Sequence, residues 1–392
     1  MRSRKLIFVV LDGVGIGELP DAAAYGDQGT NTLKHVASAV GGLALPNLAR
    51  LGLGRIAEVQ GVDGRAPVDG CYGRMAERSA GKDSTTGHWE IAGVITKQPF
   101  PLYPAGFPRE VIDRFLEATG CSGILGNKAA SGTDIIREYG DDHGKTRYPI
   151  VYTSGDSVFQ IATHEEVIPL KQLYEICRKT REQVMVGAHA VGRVIARPFT
   201  GKSGAYVRTA NRRDYSLSPP ATTLLDCLTE QKIDTVGIGK IDDLFNGRGL
   251  KEKIHTDSNA KGIERILEAV RRESGAFVMA NLVDFDMQFG HRQDPKGFAA
   301  ALREFDEALP QILEEMGQND LLMITADHGN DPTDNSTDHS REYVPLLCYC
   351  KSGKRGVDLG VRETFADAGK TVADFFEIRN SLAGVSFLSM VV

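Results

Sequence analysis

Aspartate and histidine recur in this sequence where short apolar runs stop. Asp12 closes the run LIFVVLD and leads into GVGIG; Asp286 and His291 lie five residues apart in LVDFDMQFGH; Asp327, His328 and His339 belong to TADHGNDPTDNSTDHS, a loop that also carries Asp331, Asp334 and Asp338. Carboxylate and imidazole at such density suit hard or borderline divalent cations, with manganese, magnesium and zinc all compatible. Six ligands exceed what one catalytic ion with an open position needs, but they divide between two ions about 3.5–4 Å apart that clamp the oxygens of an in-line displacement. Such ions also lower the pKa of a bound hydroxyl and turn it into a nucleophile. Hydroxyls are supplied by GKDSTTGHWEIAG, in which Asp83, Ser84, Thr85 and Thr86 precede a helix expected to start near His88. They also suit N-caps, and capping is compatible with chemistry, because a helix start stabilises a bound phosphate. Asp12 taken alone equally suits a turn or cap. A dinucleotide-binding loop is a poor alternative there, since Glu18 stands where the third glycine belongs.

These residues need a scaffold that brings distant strand ends together. The runs LIFVVLD, DTVGIG near 234, AFVMANLVDFD near 276, DLLMITADHG near 320 and VPLLCYC near 344 predict buried strands of a mainly parallel sheet. Leu302, Phe305, Leu309, Ile312, Leu313 and Met316 recur at helical spacing between Pro295 and Met316, as a crossover helix requires. Open α/β sheets build their sites at the carboxyl ends of their strands, where the acids and histidines stand.

With 392 residues the chain exceeds one ordinary hydrophobic core, so two compact units are expected. The stretch from PFPLYPAGFP to DYSLSPPAT is bounded by proline-rich turns. It contains its own strands (IVYTS, GRVIARPF) and a helix near 170–182. The expected division is a core of residues 1–98 and 221–392 interrupted by an inserted α/β cap of residues 99–220.

Hydrophobic residues make up 41% and charged residues 25%, as in an ordinary globular protein, and the formal net charge of -6 argues against nucleic acid or anionic membrane as partner. The basic start MRSRK followed by an apolar run resembles a signal peptide but lacks a small-residue cleavage site, so a buried strand is expected instead. No apolar stretch reaches membrane-spanning length. Six scattered cysteines read as small core residues in a reducing compartment, and the expected location is cytoplasmic.

Taken together these segments resemble the alkaline phosphatase superfamily and, within it, the phosphopentomutase family. LDGVGIGELPDA, LGLGRI, GKDSTTGHWEIAG, GNKAASGT, VYTSGDSVFQIA, GRVIARPF, NLVDFDMQFGHR, TADHGNDPTDNSTDHSREYVPLL and TFADAGKTV carry the resemblance collinearly over nearly the whole chain. It implies an alkaline-phosphatase-like core with a mainly parallel sheet flanked by helices. One ion would be held by Asp286, His291 and His339, the other by Asp12, Asp327 and His328, with manganese the first choice. The nucleophile would be Ser84, four residues before the histidine of GHWE; family members often carry threonine there, and Thr85 is the alternative. Asp156, Arg193, Arg208 and Lys240 would grip the sugar and its distal phosphate, Arg193 and Arg208 coupling closure of the cap to phosphate binding. The implied reaction interconverts ribose 1-phosphate and ribose 5-phosphate, and the deoxyribose equivalents, through a phosphorylated side chain and a sugar bisphosphate that also primes the enzyme. It needs no obligate protein partner. A metal-dependent phosphoglycerate mutase, a phosphatase or sulfatase, and a catalytically silent metal-binding protein are the alternatives.

Overall fold

The computed structural model describes residues 4–392, so the basic start lies partly outside the described residues. Two compact units emerge: the chain up to Gln98 together with Pro219–Val392, and Pro99–Ser218. The second boundary falls two residues before the expected one, so Pro219 and Pro220 belong to the first unit.

In the first unit eight strands pair in the order Glu252–Ile254, Thr235–Ile238, Phe277–Leu282, Leu6–Leu11, Leu321–Thr325, Val344–Cys350, Cys71–Met75 and Val357–Arg362. Leu6–Leu11 is central because all six of its side chains are buried, as a strand covered on both faces requires. It runs parallel to both neighbours, with Leu11 opposite Leu282 and Val10 opposite Thr325. Three chain segments therefore leave the sheet side by side at one edge, and the next residues along them include Asp12, Asp286 and Asp327. VPLLCYC departs from the parallel expectation: it runs antiparallel to both Leu321–Thr325 and Cys71–Met75. All six cysteines are free.

The crossover helix spans Pro295–Glu315, with Asp294 accepting from the Gly297 N–H at 3.0 Å and Pro295 in the first turn. Leu302, Phe305, Leu309 and Ile312 are buried along one face. Pro310 removes the N–H that would bond the Asp306 carbonyl, and the Asn47 side chain donates to that oxygen instead, at 3.0 Å.

The second unit is a sheet ordered Leu125–Ala129, Ile150–Thr153, Val158–His164, Arg193–Thr200 and Val207–Arg208, with Arg213–Ser216 also pairing to Arg193–Thr200. One apolar cluster centres on Phe107, Phe115 and Phe159; a second joins Ile135 and Ile136 of the helix Gly132–Thr146 to Tyr152 and Phe199. The helix expected near 170–182 is Leu170–Lys179, continued by one wider turn to Val184.

Candidate metal centre

The expected ligands of the first unit converge. Asp286 follows the strand Phe277–Leu282 within a π-helical turn, Phe285–Gly290, and the His291 N–H bonds the Asp286 carbonyl five residues back at 3.0 Å. That wider turn places the two side chains one above the other, and His291 Nε2 lies 3.2 Å from Asp286 Oδ2. His339 Nε2 lies 3.5 Å from Asp286 Oδ1, and its ring is 4.8 Å from that of His291 and 4.2 Å from that of His328. His328 Nε2 lies 3.3 Å from Asp12 Oδ1 and 3.3 Å from Asp327 Oδ2. Ligand atoms of Asp286, His291 and His339 all lie within 4.8 Å of one another, as do those of Asp12, Asp286 and His328. Asp286 thus belongs to both groups, whereas Asp327 reaches the second through its contact with His328.

Backbone carbonyls fix the imidazoles. His291 Nδ1–H donates to the Thr337 carbonyl at 2.6 Å and His328 Nδ1–H to the Gly329 carbonyl at 3.0 Å, with both Nε2 atoms turned to the carboxylates. That is the orientation a metal-binding imidazole adopts. Asp327 Oδ1 accepts from the Gly13 N–H at 3.1 Å. Burial alone would raise the pKa of Asp286, but the charges of His339 and His291 hold it well below the usual range. Burial likewise opposes ionisation of Asp327, yet His328 and His88 bring it to about 2. For His328 burial lowers the pKa, and Asp327 and Asp12 overcome that and raise it well above the usual value. Three buried carboxylates therefore call for positive charge at this point. Asp327 Oδ2 is fully buried and has no hydrogen-bond partner, although His88 Nδ1 is 3.1 Å away, because that N–H is directed to the Ser84 carbonyl at 2.8 Å. A buried anionic oxygen left open beside the imidazole Nε2 atoms of this cluster fits divalent cations.

Ser84 stands against this cluster, its Oγ 3.1 Å from His328 Nε2 and 3.4 Å from Asp12 Oδ1. The helix does not begin near His88 but at Ser84, spanning Ser84–Ile91. Its cap is Asp83, whose carboxylate accepts from the Thr86 N–H at 3.1 Å and the Thr86 hydroxyl at 2.6 Å. Capping is thus done by Asp83, and the Ser84 hydroxyl is left to face Asp12 and His328. Thr85 makes no hydrogen bond to any of the six ligands among the described residues.

The expected sugar and phosphate residues fall in both units. Arg193 Nη2 lies 3.7 Å from Asp156 Oδ2, and its Nη1 3.6 Å from Asp214 Oδ2. Arg208 is exposed and pairs opposite Phe199. Lys240 belongs to the first unit and precedes the short helix Ile241–Leu244.

Three polar residues around the cluster escaped the sequence analysis. Asn281 Nδ2 donates to Asp12 Oδ2 at 3.0 Å and lies 3.3 Å from His88 Nε2; Asn330 Nδ2 donates to Asp286 Oδ1 at 2.7 Å. Asn281 had left a signal, as a lone amide within the wholly buried strand FVMANL, where a polar side chain needs a partner.

Comparison with known proteins follows the same line. A family model described as the metalloenzyme superfamily matches residues 4–380. The phosphopentomutase of Dictyoglomus thermophilum is 57% identical over 99% of this chain and 98% of its own length. The phosphopentomutase of Acetivibrio thermocellus is 55% identical over 99% of this chain and 100% of its own. Among solved structures, phosphoglycerate mutase of Leishmania mexicana aligns over 100% of this chain and 98% of its own at 13% identity, with a TM-score of 0.47. A centre built for divalent cations beside a helix-borne hydroxyl, and more than half of all residues shared end to end with such relatives, mean that this chain is an enzyme of the phosphopentomutase family within the metalloenzyme superfamily.

Proposed function

We propose that the chain interconverts ribose 1-phosphate and ribose 5-phosphate, and the deoxyribose equivalents, by way of a phosphate carried on Ser84. The observation that carries this reading is the placement of the Ser84 hydroxyl, 3.4 Å from Asp12 Oδ1 and 3.1 Å from His328 Nε2, at the first residue of a helix. Asp286, His291 and His339 would hold one cation and Asp12, Asp327 and His328 the other, manganese being the first choice. When bound, such cations supply charge stabilisation for the transferred phosphoryl group and lower the pKa of the nucleophile. The chain's own residues do the rest. Ser84 receives and returns the phosphate, and the start of its helix stabilises the phosphorylated form. Asp156, Arg193 and Arg208 in the second unit and Lys240 in the first would contact sugar and phosphate, arginine pairing two phosphate oxygens at once. A sugar bisphosphate would prime Ser84, and the expected setting is the cytoplasm, in nucleoside breakdown; no helix among the described residues is long and apolar enough to cross a membrane.

Assaying ribose 5-phosphate formation from ribose 1-phosphate, with and without chelator, tests the reading. Conversion that needs metal and is stimulated by a sugar bisphosphate is the expected result. Release of inorganic phosphate in place of isomerisation would overturn it.

A further inference from the structure

Between the strand Cys71–Met75 and the helix Ser84–Ile91 the chain has no regular structure, yet this stretch leads directly to the Ser84 hydroxyl. Glu77, Ser79 and Gly81 within it are buried, and a buried carbonyl outside a helix or sheet needs a donor from elsewhere. One side chain serves all three. Arg341, two residues after His339, is buried, and its guanidinium donates to the carbonyls of Glu77 at 3.0 Å, Ser79 at 2.8 Å and Gly81 at 2.6 Å. Alternate carbonyls of the segment thus converge on a single planar fork, a geometry that a lysine ammonium could not reproduce. The same guanidinium is itself held in place. Nη1 lies 2.9 Å from Glu77 Oε2, Nε and Nη2 lie 3.2 and 3.0 Å from the Asp21 carboxylate, and the Tyr25 ring covers its face at 4.7 Å.

A second tie runs through Asp27. This buried carboxylate accepts from the Arg341 N–H at 2.8 Å and from the Lys82 ammonium at 2.9 Å, and Lys82 Nζ also lies 3.4 Å from Asp338. The amide side of the segment is held by the helix it feeds, because Glu90 accepts from the Arg78 N–H at 2.9 Å and the Ser79 N–H at 2.5 Å. Residues 77–82 are therefore fastened to Asp338 and Arg341, the residues that flank His339 in sequence. The approach to the hydroxyl and the loop that carries His339 are joined into one piece, although they lie far apart along the chain.

We propose that Arg341 and Lys82 are positioning residues for phosphoryl transfer: by clamping the backbone of residues 77–82 they set where the Ser84 hydroxyl stands relative to Asp12 and His328. The inference rests on the reading of Ser84 as the phosphate carrier. Among the described residues the Arg341 guanidinium contacts none of the six expected cation ligands, so it acts through the chain that leads to Ser84. A positioning role has its own kinetic signature. A reacting oxygen displaced by about 1 Å loses about 10²-fold in rate, while substrate binding and metal binding, which do not depend on that oxygen's exact place, are retained. Arg341→Lys keeps the charge and loses the fork. Glu77→Gln/Arg341→Met removes the buried pair together and leaves no lone buried charge at Glu77. Lys82→Met breaks only the second tie, at a side chain that is 18% exposed, so the protein folds whether or not the buried variants do.

Full-length, metal-loaded wild type and the three variants are mixed with a pentose bisphosphate, and the arrival of phosphate on Ser84 is timed by quenched intact mass. KM and kcat for ribose 5-phosphate and the metal retained against graded chelator are measured on the same samples. Phosphate arrival and kcat are expected to slow together, by about 10²-fold in the Arg341 variants and by less, though measurably, in Lys82→Met. KM and retained metal should stay within about threefold of wild type. Arrival at the wild-type rate in Lys82→Met, or in either Arg341 variant that folds, would overturn the proposal. So would losses that follow lost metal or lost folded protein, or that enter KM as much as kcat, since a purely structural role produces those. Wild type that turns over pentose phosphates with no phosphate on Ser84 would sink the reading beneath the proposal instead, and that result needs no variant.

Discussion

Ser84, Thr85 and Thr86 carry the same functional group, and their positions on one helix turn separate their roles. Thr86 is spent on the Asp83 cap, Thr85 has no bond to the ligand cluster, and Ser84 touches Asp12 and His328. Ser84→Ala should lower turnover by about three orders of magnitude or more, Thr85→Ala should keep it within the same order, and Ser84→Thr should restore activity; steady-state kinetics on the three variants decides this. Asn281 shows a subtler dependence. Its Nδ2 is the donor to Asp12 Oδ2, so Asn281→Ala leaves that carboxylate oxygen without its bond. Loss of such an outer partner is expected to cost about 10–100-fold in metal affinity or activity, measured as metal retained against graded chelator. An unchanged metal affinity and rate would show that Asp12 needs no such support.

The helix Ser84–Ile91 is the element that presents the Ser84 hydroxyl, the proposed nucleophile, and its packing depends on a glycine. A Cβ at Gly87 would overlap the Asp327 carbonyl oxygen, so the helix rests directly on the backbone of a proposed metal ligand. Gly87→Ala improves helix propensity by roughly 1 kcal/mol but must push the helix outward; a displacement near 1 Å at a reacting group costs about 10²-fold. The expected outcome is therefore a fall in turnover of that size without loss of helix content by circular dichroism. Further along the same helix, Glu90 is buried and accepts from the N–H groups of Arg78 and Phe365 at 2.9 and 3.0 Å, and Trp89 donates to the Leu244 carbonyl at 2.9 Å. GHWE thus serves both site and scaffold, with the tryptophan and glutamate anchoring the helix that carries the hydroxyl.

What could be read from sequence follows from the same physics. Buried parallel strands announce themselves as apolar runs, and the acids that end them stand out by contrast, so Asp12, Asp286 and Asp327 were legible. The helix start was misplaced because Asp83, Ser84, Thr85 and Thr86 are all competent caps, and only the bonds from Thr86 to Asp83 identify the one in use. Asn330 and His88 stayed hidden because their partners lie far away in sequence. The antiparallel course of Val344–Cys350 was equally hidden, since an apolar run carries no direction.

At the scale of the whole molecule, the proposed centre draws its side chains from four distant segments, around Asp12, Ser84, Asp286 and Asp327–His339. Divalent cation binding there would tie these segments together in the folded state only. Chelation should therefore lower the unfolding midpoint as well as abolish turnover, and re-addition of manganese should restore both. A midpoint insensitive to chelator and metal would mean that the cluster closes without cations.

The most direct test of the central claim is the position of the phosphate. Metal-loaded protein incubated with a pentose bisphosphate is analysed by intact mass and peptide fragmentation. A single phosphate on Ser84, removed when ribose 5-phosphate is added, is the predicted result; turnover with the phosphate on Thr85, or with none on the chain at all, would contradict it.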